Sequence, residues 1–254
     1  MLLAIDAGNT QTVYGLWDGS TWLATWRRNT DGAETEDELG VWLKGLFELS
    51  GLPFKVDFVV AATVVPAIQT SVSRLCQKWL SAPFVFLENG DQVGLAVDYE
   101  PKNAVGPDRL ANALGALKIN KPPIIVVDFG TATTFDVVDR NGTYAGGAIL
   151  PGIEVASAAL VGRTSRLPRF ELKAPDRAVG KTTVESLQSG MMLGYAGAID
   201  RLAGLIDAEL GGGSEIIATG GLGAVFVDLC DRIARYDRTL TLDGLVEAAQ
   251  RIRG

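Results

Sequence analysis

Asp6-Ala7-Gly8-Asn9-Thr10 follows the apolar run Leu2–Ile5, and Asp128-Phe129-Gly130-Thr131-Ala132 follows the apolar run Ile124–Val127. Each reads as a buried strand that ends in a carboxylate and turns at a glycine into hydroxyl- or amide-bearing residues. A second strand follows each turn, Thr12–Trp17 in one case and Thr133–Val138 in the other. A glycine lets the backbone turn sharply and brings amide N–H groups toward a ligand. Asn9, Thr10, Gln11 and Thr12 add side-chain donors suited to phosphate oxygens, and Asp6 stands where it could hold a magnesium ion through water. A hairpin with an Asx turn would explain one such copy. Two copies about half the chain apart point instead to two similar halves that grip a metal–phosphate between them.

Ile216-Ile217-Ala218-Thr219-Gly220-Gly221 is a third piece. A buried strand ending in two glycines lets a flat ring such as adenine lie against the backbone, although a tight strand-to-helix turn has the same pattern. No GxxxxGK[ST] loop or GxGxxG fingerprint occurs in a strand–helix context, which argues against P-loop and dinucleotide folds.

Composition narrows the class. With 254 residues, 47% of them hydrophobic and 21% charged, the chain is an ordinary globular one of one or two domains. Its net charge of −7 disfavours a nucleic-acid or anionic-membrane partner, which would need a basic face. No apolar run reaches the length of a membrane-spanning helix, and no leader precedes the first strand, so a cytosolic protein is expected. Cys76 and Cys230 are isolated and read as small buried hydrophobes. Histidine is absent, which excludes Ser-His-Asp, Cys-His and histidine–zinc chemistry and leaves a carboxylate, ahead of a lysine or tyrosine, as the general base.

The rest of the chain alternates strands and helices. Thr21–Trp26, Val56–Ala61 and Phe84–Leu87 read as strands of the first half. Helices run through Leu39–Phe47, from Pro66 through Trp79, and from Pro107 through Leu117, where a proline suits a first helical turn. The second half adds Thr143–Leu150 as a strand after the hairpin signal Asn141-Gly142. Helices follow near Ile153–Val161, Val184–Leu210 and Leu222–Arg232, with Glu215–Thr219 as a strand and Asp243 as a candidate cap for the last helix. The five tryptophans fall on these periods and are expected in the core. Arg163–Lys181 lacks any period and reads as a mobile surface loop. Asp18, Asp31, Asp139 and the Glu34–Glu38 cluster are explained by turns and a charged first helical turn.

With all three glycine loops in order, the chain resembles the acetate kinase, sugar kinase, Hsp70 and actin superfamily. Gly106-Pro107-Asp108-Arg109, preceded by Tyr99 and followed by Asp128-Phe129-Gly130-Thr131-Ala132-Thr133, makes it similar to the type III pantothenate kinases. That resemblance implies an α/β fold of two ribonuclease-H-like halves, residues 1–118 and 119–254, each a mixed five-stranded sheet with helices, and a nucleotide cleft between them. It implies ATP-dependent phosphorylation of pantothenate, Mg²⁺, a potassium or ammonium ion, and a homodimer. Carried over by position, it makes Asp108 the base facing the pantothenate hydroxyl, with Tyr99, Gly106, Pro107, Arg109 and Thr183 in the substrate pocket. Asp6, Ala7, Gly8, Asn9, Thr10, Gln11, Thr12 and Val13 would wrap the ATP phosphates, joined by Thr131, while Gly220 and Gly221 would face the adenosine. Asp128 would hold the monovalent cation and Asp6 the magnesium. Asp108 in a first helical turn is expected to have a lowered pKa. Two alternatives stand beside this reading: a nucleotide-binding transcriptional co-activator of the same family, and a kinase for another small hydroxylated substrate.

Overall fold

A computed structural model describes residues 1–254. Ten strands fall into two five-stranded sheets of the same design. In the first, β1 (Leu2–Ala7), β2 (Gln11–Trp17), β3 (Trp22–Asn29), β4 (Phe58–Thr63) and β5 (Phe84–Phe86) lie in the order β3-β2-β1-β4-β5. In the second, β6 (Ile124–Phe129), β7 (Ala132–Val138), β8 (Tyr144–Pro151), β9 (Glu215–Gly220) and β10 (Arg235–Tyr236) lie in the order β8-β7-β6-β9-β10. The central strand of each pairs antiparallel with its hairpin partner and parallel with the crossover strand. The expected duplication is therefore present strand for strand, and Asp6 and Asp128 occupy matching places on the two central strands.

The apolar runs explain why β1 and β6 are central. Leu3, Ile5, Leu16, Val59 and Ala61 point to one face of the first sheet and pack with Leu39, Leu43 and Phe47 of α1 (Glu36–Leu49) and Val72 and Leu75 of α2 (Pro66–Leu75). Alternation sends Leu2, Ala4, Val60 and Ala62, which are also buried, to the opposite face. In the second sheet Ile125, Val127 and Phe135 pack on Met192, Ala196, Ile199 and Ala203. Those four recur at helical spacing along α5 (Thr183–Glu209), which follows α4 (Ile153–Gly162).

The chain divides into two compact units, but not where the sequence divides it. Unit one is Met1–Lys118 together with Leu240–Gly254, and unit two is Ile119–Thr239. The final helix α7 (Leu240–Arg253) thus belongs with the first sheet, against β1 and β4. The physical reason is a glycine crossing with α3 (Pro107–Ile119). A β-carbon on Gly244 would collide with the Ala111 carbonyl, and one on Gly115 with the Leu240 carbonyl, so the two backbones approach directly. Residues 240–254 carry no strand pairing that would have revealed this partner in the sequence.

Other expectations change in detail. The helix after Gly221 is only α6 (Gly223–Phe226), and further on the Asp200 carboxylate takes the N–H groups of Asp231 and Arg232 at 2.9 and 3.1 Å. Asp243 lies inside the first turn of α7 and accepts from Trp22 Nε1 at 3.0 Å, so it is not a cap. Trp79 is 47% exposed, outside the core, and its Nε1 donates to Asp37. The segment 163–181 is irregular, yet two of its carbonyls are tied to α5, Glu171 by Gln188 and Ala178 by Ser189. No helix is long and apolar enough to cross a membrane.

Candidate active site

Asp108 stands in the first turn of α3, with Pro107 opening the helix and Gly106 accepting from the Arg109 and Leu110 N–H groups at 3.1 and 3.2 Å. Asp108 Oδ1 in turn accepts the Arg109 N–H at 2.9 Å, which orients the carboxyl. A β-carbon on Gly106 would collide with that same oxygen. Burial raises the Asp108 pKa above the ordinary carboxylate value, and the Arg109 N–H and guanidinium lower it by less. The expectation of a depressed pKa is thus reversed: desolvation outweighs the helix terminus. The helix behind it is buried from Arg109 through Ala116, so Asp108 is carried on a rigid element. Tyr99 is half-buried on the irregular segment before α3, in the same unit.

The first glycine loop is closed by its own backbone, with the Gly8 N–H donating to the Gln11 carbonyl at 3.1 Å. Asn9, Thr10 and Gln11 are exposed at its tip, while Asp6 is half-buried at the strand end. Thr12 does not present a donor outward: it is buried, and its Oγ1 lies 2.9 Å from Thr30 Oγ1. Val13 is half-buried in β2 opposite Asp6. The Thr30 hydroxyl donates to the Gly8 carbonyl at 2.7 Å, and the Thr30 N–H donates to the Thr10 carbonyl at 2.9 Å.

The second loop repeats the closure, Gly130 N–H to Ala132 carbonyl at 3.1 Å, and leaves Gly130 and Thr131 exposed. Gly152 donates to the Thr131 carbonyl at 3.0 Å, and Tyr195 Oη lies 2.8 Å from both Thr133 Oγ1 and the Pro151 carbonyl. Asp128 ends β6 opposite Thr219 of β9. Gly220 turns there with φ +84°, and a β-carbon on it would collide with both Asp128 Oδ1 and the Phe129 carbonyl. One carboxylate and one carbonyl oxygen therefore converge beside Gly220, a donor pair suited to a hard cation. Gly221 is exposed, and Tyr236 donates to the Gly220 carbonyl at 3.1 Å.

Unit one thus holds the first loop, Tyr99 and the Gly106–Arg109 turn, and unit two holds the second loop, Asp128, Gly220, Gly221 and Thr183. Thr183 is exposed as the first residue of α5, and the capping role falls to Thr182, which accepts from the Glu185 N–H at 3.2 Å. Sequence reasoning missed Thr30 and Tyr195, because their partners are distant in the chain and no local pattern marks them. A cavity of about 300 Å³ lies between the 173–177 segment and Glu185 and Gln188 of α5, and none of the motif residues lines it. No group of three or more Cys, Asp or Glu residues is arranged to hold a metal ion.

Comparison with known proteins follows the same lines. A family model for type III pantothenate kinase matches residues 2–204. A type III pantothenate kinase of Paramagnetospirillum magneticum is 43% identical over 253 residues, covering 99% of this chain and 97% of its own. One from Rhodospirillum rubrum is 43% identical, covering 97% and 96%, and one from Myxococcus xanthus is 40% identical, covering 96% of each. Among solved structures, a Campylobacter jejuni protein named for the Baf family of transcriptional activators has a TM-score of 0.57 at 20% identity, covering 98% and 96%. MreB 5 of Spiroplasma citri bound to AMPPNP has a TM-score of 0.52 at 10% identity, covering 98% and 94%. These two likenesses concern the fold, that of the actin-like ATPases.

Proposed function

The chain belongs to the type III pantothenate kinase family, and we propose that Asp108 is the carboxylate through which it works. The protein phosphorylates pantothenate to 4′-phosphopantothenate with ATP, a reaction of coenzyme A biosynthesis. No feature of the site favours the regulatory alternative or a different hydroxylated substrate. The identity over nearly the whole of both chains favours pantothenate.

The observation that carries the assignment is the desolvated, oriented carboxyl of Asp108 at the head of α3. A raised pKa makes it a better acceptor for the substrate hydroxyl proton than a solvated aspartate. The hydroxyl oxygen forms a bond to the γ-phosphorus, the bond from that phosphorus to the β,γ-bridging oxygen breaks, and the hydroxyl proton passes to Asp108 as ADP leaves. Such transfers run through loose transition states, so most of the acceleration comes from positioning and charge. Arg109 and Tyr99 offer the donors that a carboxylate and hydroxyl-bearing substrate requires. The exposed tips of the two glycine loops would hold the phosphates, and Gly220 and Gly221 the adenosine.

Asp6 would hold a magnesium ion through water, the ion's other oxygens coming from the phosphates and solvent. A potassium or ammonium ion would be held by Asp128, with the Phe129 carbonyl beside Gly220 as a second oxygen donor. Both would supply positive charge near the transferred phosphate. A homodimer is supported by α4, whose exposed Val155, Ala158, Ala159 and Leu160 form an apolar surface uncommon on a monomer. Thr183 would then reach the pantothenate of the partner subunit. ATP as donor implies a cytoplasmic site of action.

The test is phosphate transfer from ATP to pantothenate with Mg²⁺, in potassium and in sodium, for the wild type and Asp108→Asn. Turnover should fall by about 10²–10⁴-fold in the variant with ATP binding retained. Comparable turnover would remove Asp108 from its role, and equal rates in sodium and potassium would remove the monovalent cation.

A further inference from the structure

A phosphate-binding loop needs its N–H groups turned toward the anion and its carbonyls turned away. In each unit a short chain of hydroxyls behind the loop sets that polarity. In unit one, Thr30 Oγ1 has a single proton, and the Gly8 carbonyl 2.7 Å away can only accept it. The proton of the 2.9 Å contact between Thr12 and Thr30 must therefore come from Thr12. A trans peptide is planar, with its N–H opposed to its C=O. Holding the Gly8 carbonyl toward Thr30 consequently turns the Asn9 N–H the other way, at the exposed tip of the loop. The Thr30 N–H holds a second loop carbonyl, that of Thr10, at 2.9 Å.

Unit two has the same arrangement with different residues. Thr133 is buried and stands in register opposite Phe129, as Thr12 stands opposite Ala7. Tyr195 Oη lies 2.8 Å from Thr133 Oγ1 and from the Pro151 carbonyl, and it too has one proton. Tyr195 donates toward both, so its single proton is shared between the Thr133 hydroxyl and the Pro151 carbonyl. The peptide so pinned is Pro151–Gly152, and its opposite edge, the Gly152 N–H, donates to the Thr131 carbonyl at 3.0 Å. A hydroxyl paired with a buried threonine thus holds one peptide carbonyl in each unit, that of Gly8 within the first loop and that of Pro151 beside the second.

We propose that Thr30 and Tyr195 are positioning residues for ATP, each orienting the peptide planes at one phosphate loop through a hydroxyl that is paired with the buried Thr12 or Thr133. The proposal rests on the reading of the two glycine loops as the ATP phosphate site. Neither residue need touch the nucleotide.

Steady-state kinetics and thermal melts of Thr30→Val, Thr30→Ser, Tyr195→Phe and Asp6→Asn separate the possibilities. Thr30→Val keeps the shape and removes the hydroxyl, and loss of one hydrogen bond should raise the ATP KM about tenfold. The pantothenate KM should stay near wild type while Tm falls by a few degrees, and Thr30→Ser should restore both the ATP KM and Tm. Tyr195→Phe should show the same selective rise, and it decides the matter if Thr30→Val does not fold, since its ring can keep its contact with Phe226. A lowered Tm with both KM values unchanged would make these residues structural only and overturn the proposal. If Asp6→Asn raises the ATP KM while the hydroxyl variants do not, the positioning role alone fails. If Asp6→Asn also leaves it unchanged, the loops are not the phosphate site and both readings fall.

Discussion

Burial and ionisation oppose each other at Asp108, and the sign of the outcome can be followed through both activity and stability. Its folded pKa lies above the ordinary carboxylate value of 3.8 because desolvation exceeds the help from Arg109. In the window between those two pKa values the native state binds more protons than the unfolded state, so stability falls as pH rises. Above the window the loss is complete, and the protein carries the full cost of an ionised, poorly solvated group. Asp108→Asn removes that charge. Its Tm at neutral pH should therefore equal or exceed that of the wild type while turnover is lost, and a clearly lower Tm would contradict the desolvation argument. The acidic limb of kcat/KM should lie above the range of a solvated aspartate and disappear in the residual activity of the variant. The pKa reversal was illegible in the sequence, which shows the helix start but not what surrounds the carboxyl.

At the scale of elements, the crossing of α3 and α7 carries the sharpest stability prediction. Gly244 meets the Ala111 carbonyl with no room for a side chain, and Gly115 meets the Leu240 carbonyl in the same way. Gly244→Ala must push α7 away from the helix that bears Asp108. Overpacking of this kind costs about 1–3 kcal/mol, which would lower Tm by several degrees in a calorimetric melt. An unchanged melt would mean that the helices separate without cost. The glycines could not announce this crossing, because close approach depends on a partner more than a hundred residues away. Elements with their own local signal were legible: the apolar runs of β1 and β6, the Pro107 start of α3 and the spacing of Met192, Ala196, Ile199 and Ala203 along α5. Those fixed by tertiary partners were not. The two-residue β10 is too short for a period, and the turn at residues 231–232 is held by Asp200, distant in the chain.

For the whole molecule, the duplication explains why two motifs were enough to indicate the architecture: each marks the central strand of one sheet, and strand order follows from it. The copies are not identical. The first loop places four residues between Ala7 and Thr12 and the second places three between Phe129 and Thr133, so their exposed tips differ. In the second half α4 is almost wholly apolar, with Glu154 its one charged residue. An isolated surface helix would show a polar outer face. Here Val155 is 46% and Leu160 37% exposed, and at the start of α5 Val184 is 38% exposed beside Thr183. If these surfaces pair in a homodimer, Val155→Asp with Leu160→Asp should convert a concentration-independent dimer into monomer in sedimentation velocity. Because Thr183 is assigned to the partner's substrate, the same variant should raise the pantothenate KM, while Thr183→Ala should raise it without changing the sedimentation coefficient. A wild-type monomer would remove the dimer. A variant that remains dimeric would move the interface away from α4, and an unchanged pantothenate KM in Thr183→Ala would leave the pocket to Tyr99 and the Gly106–Arg109 turn.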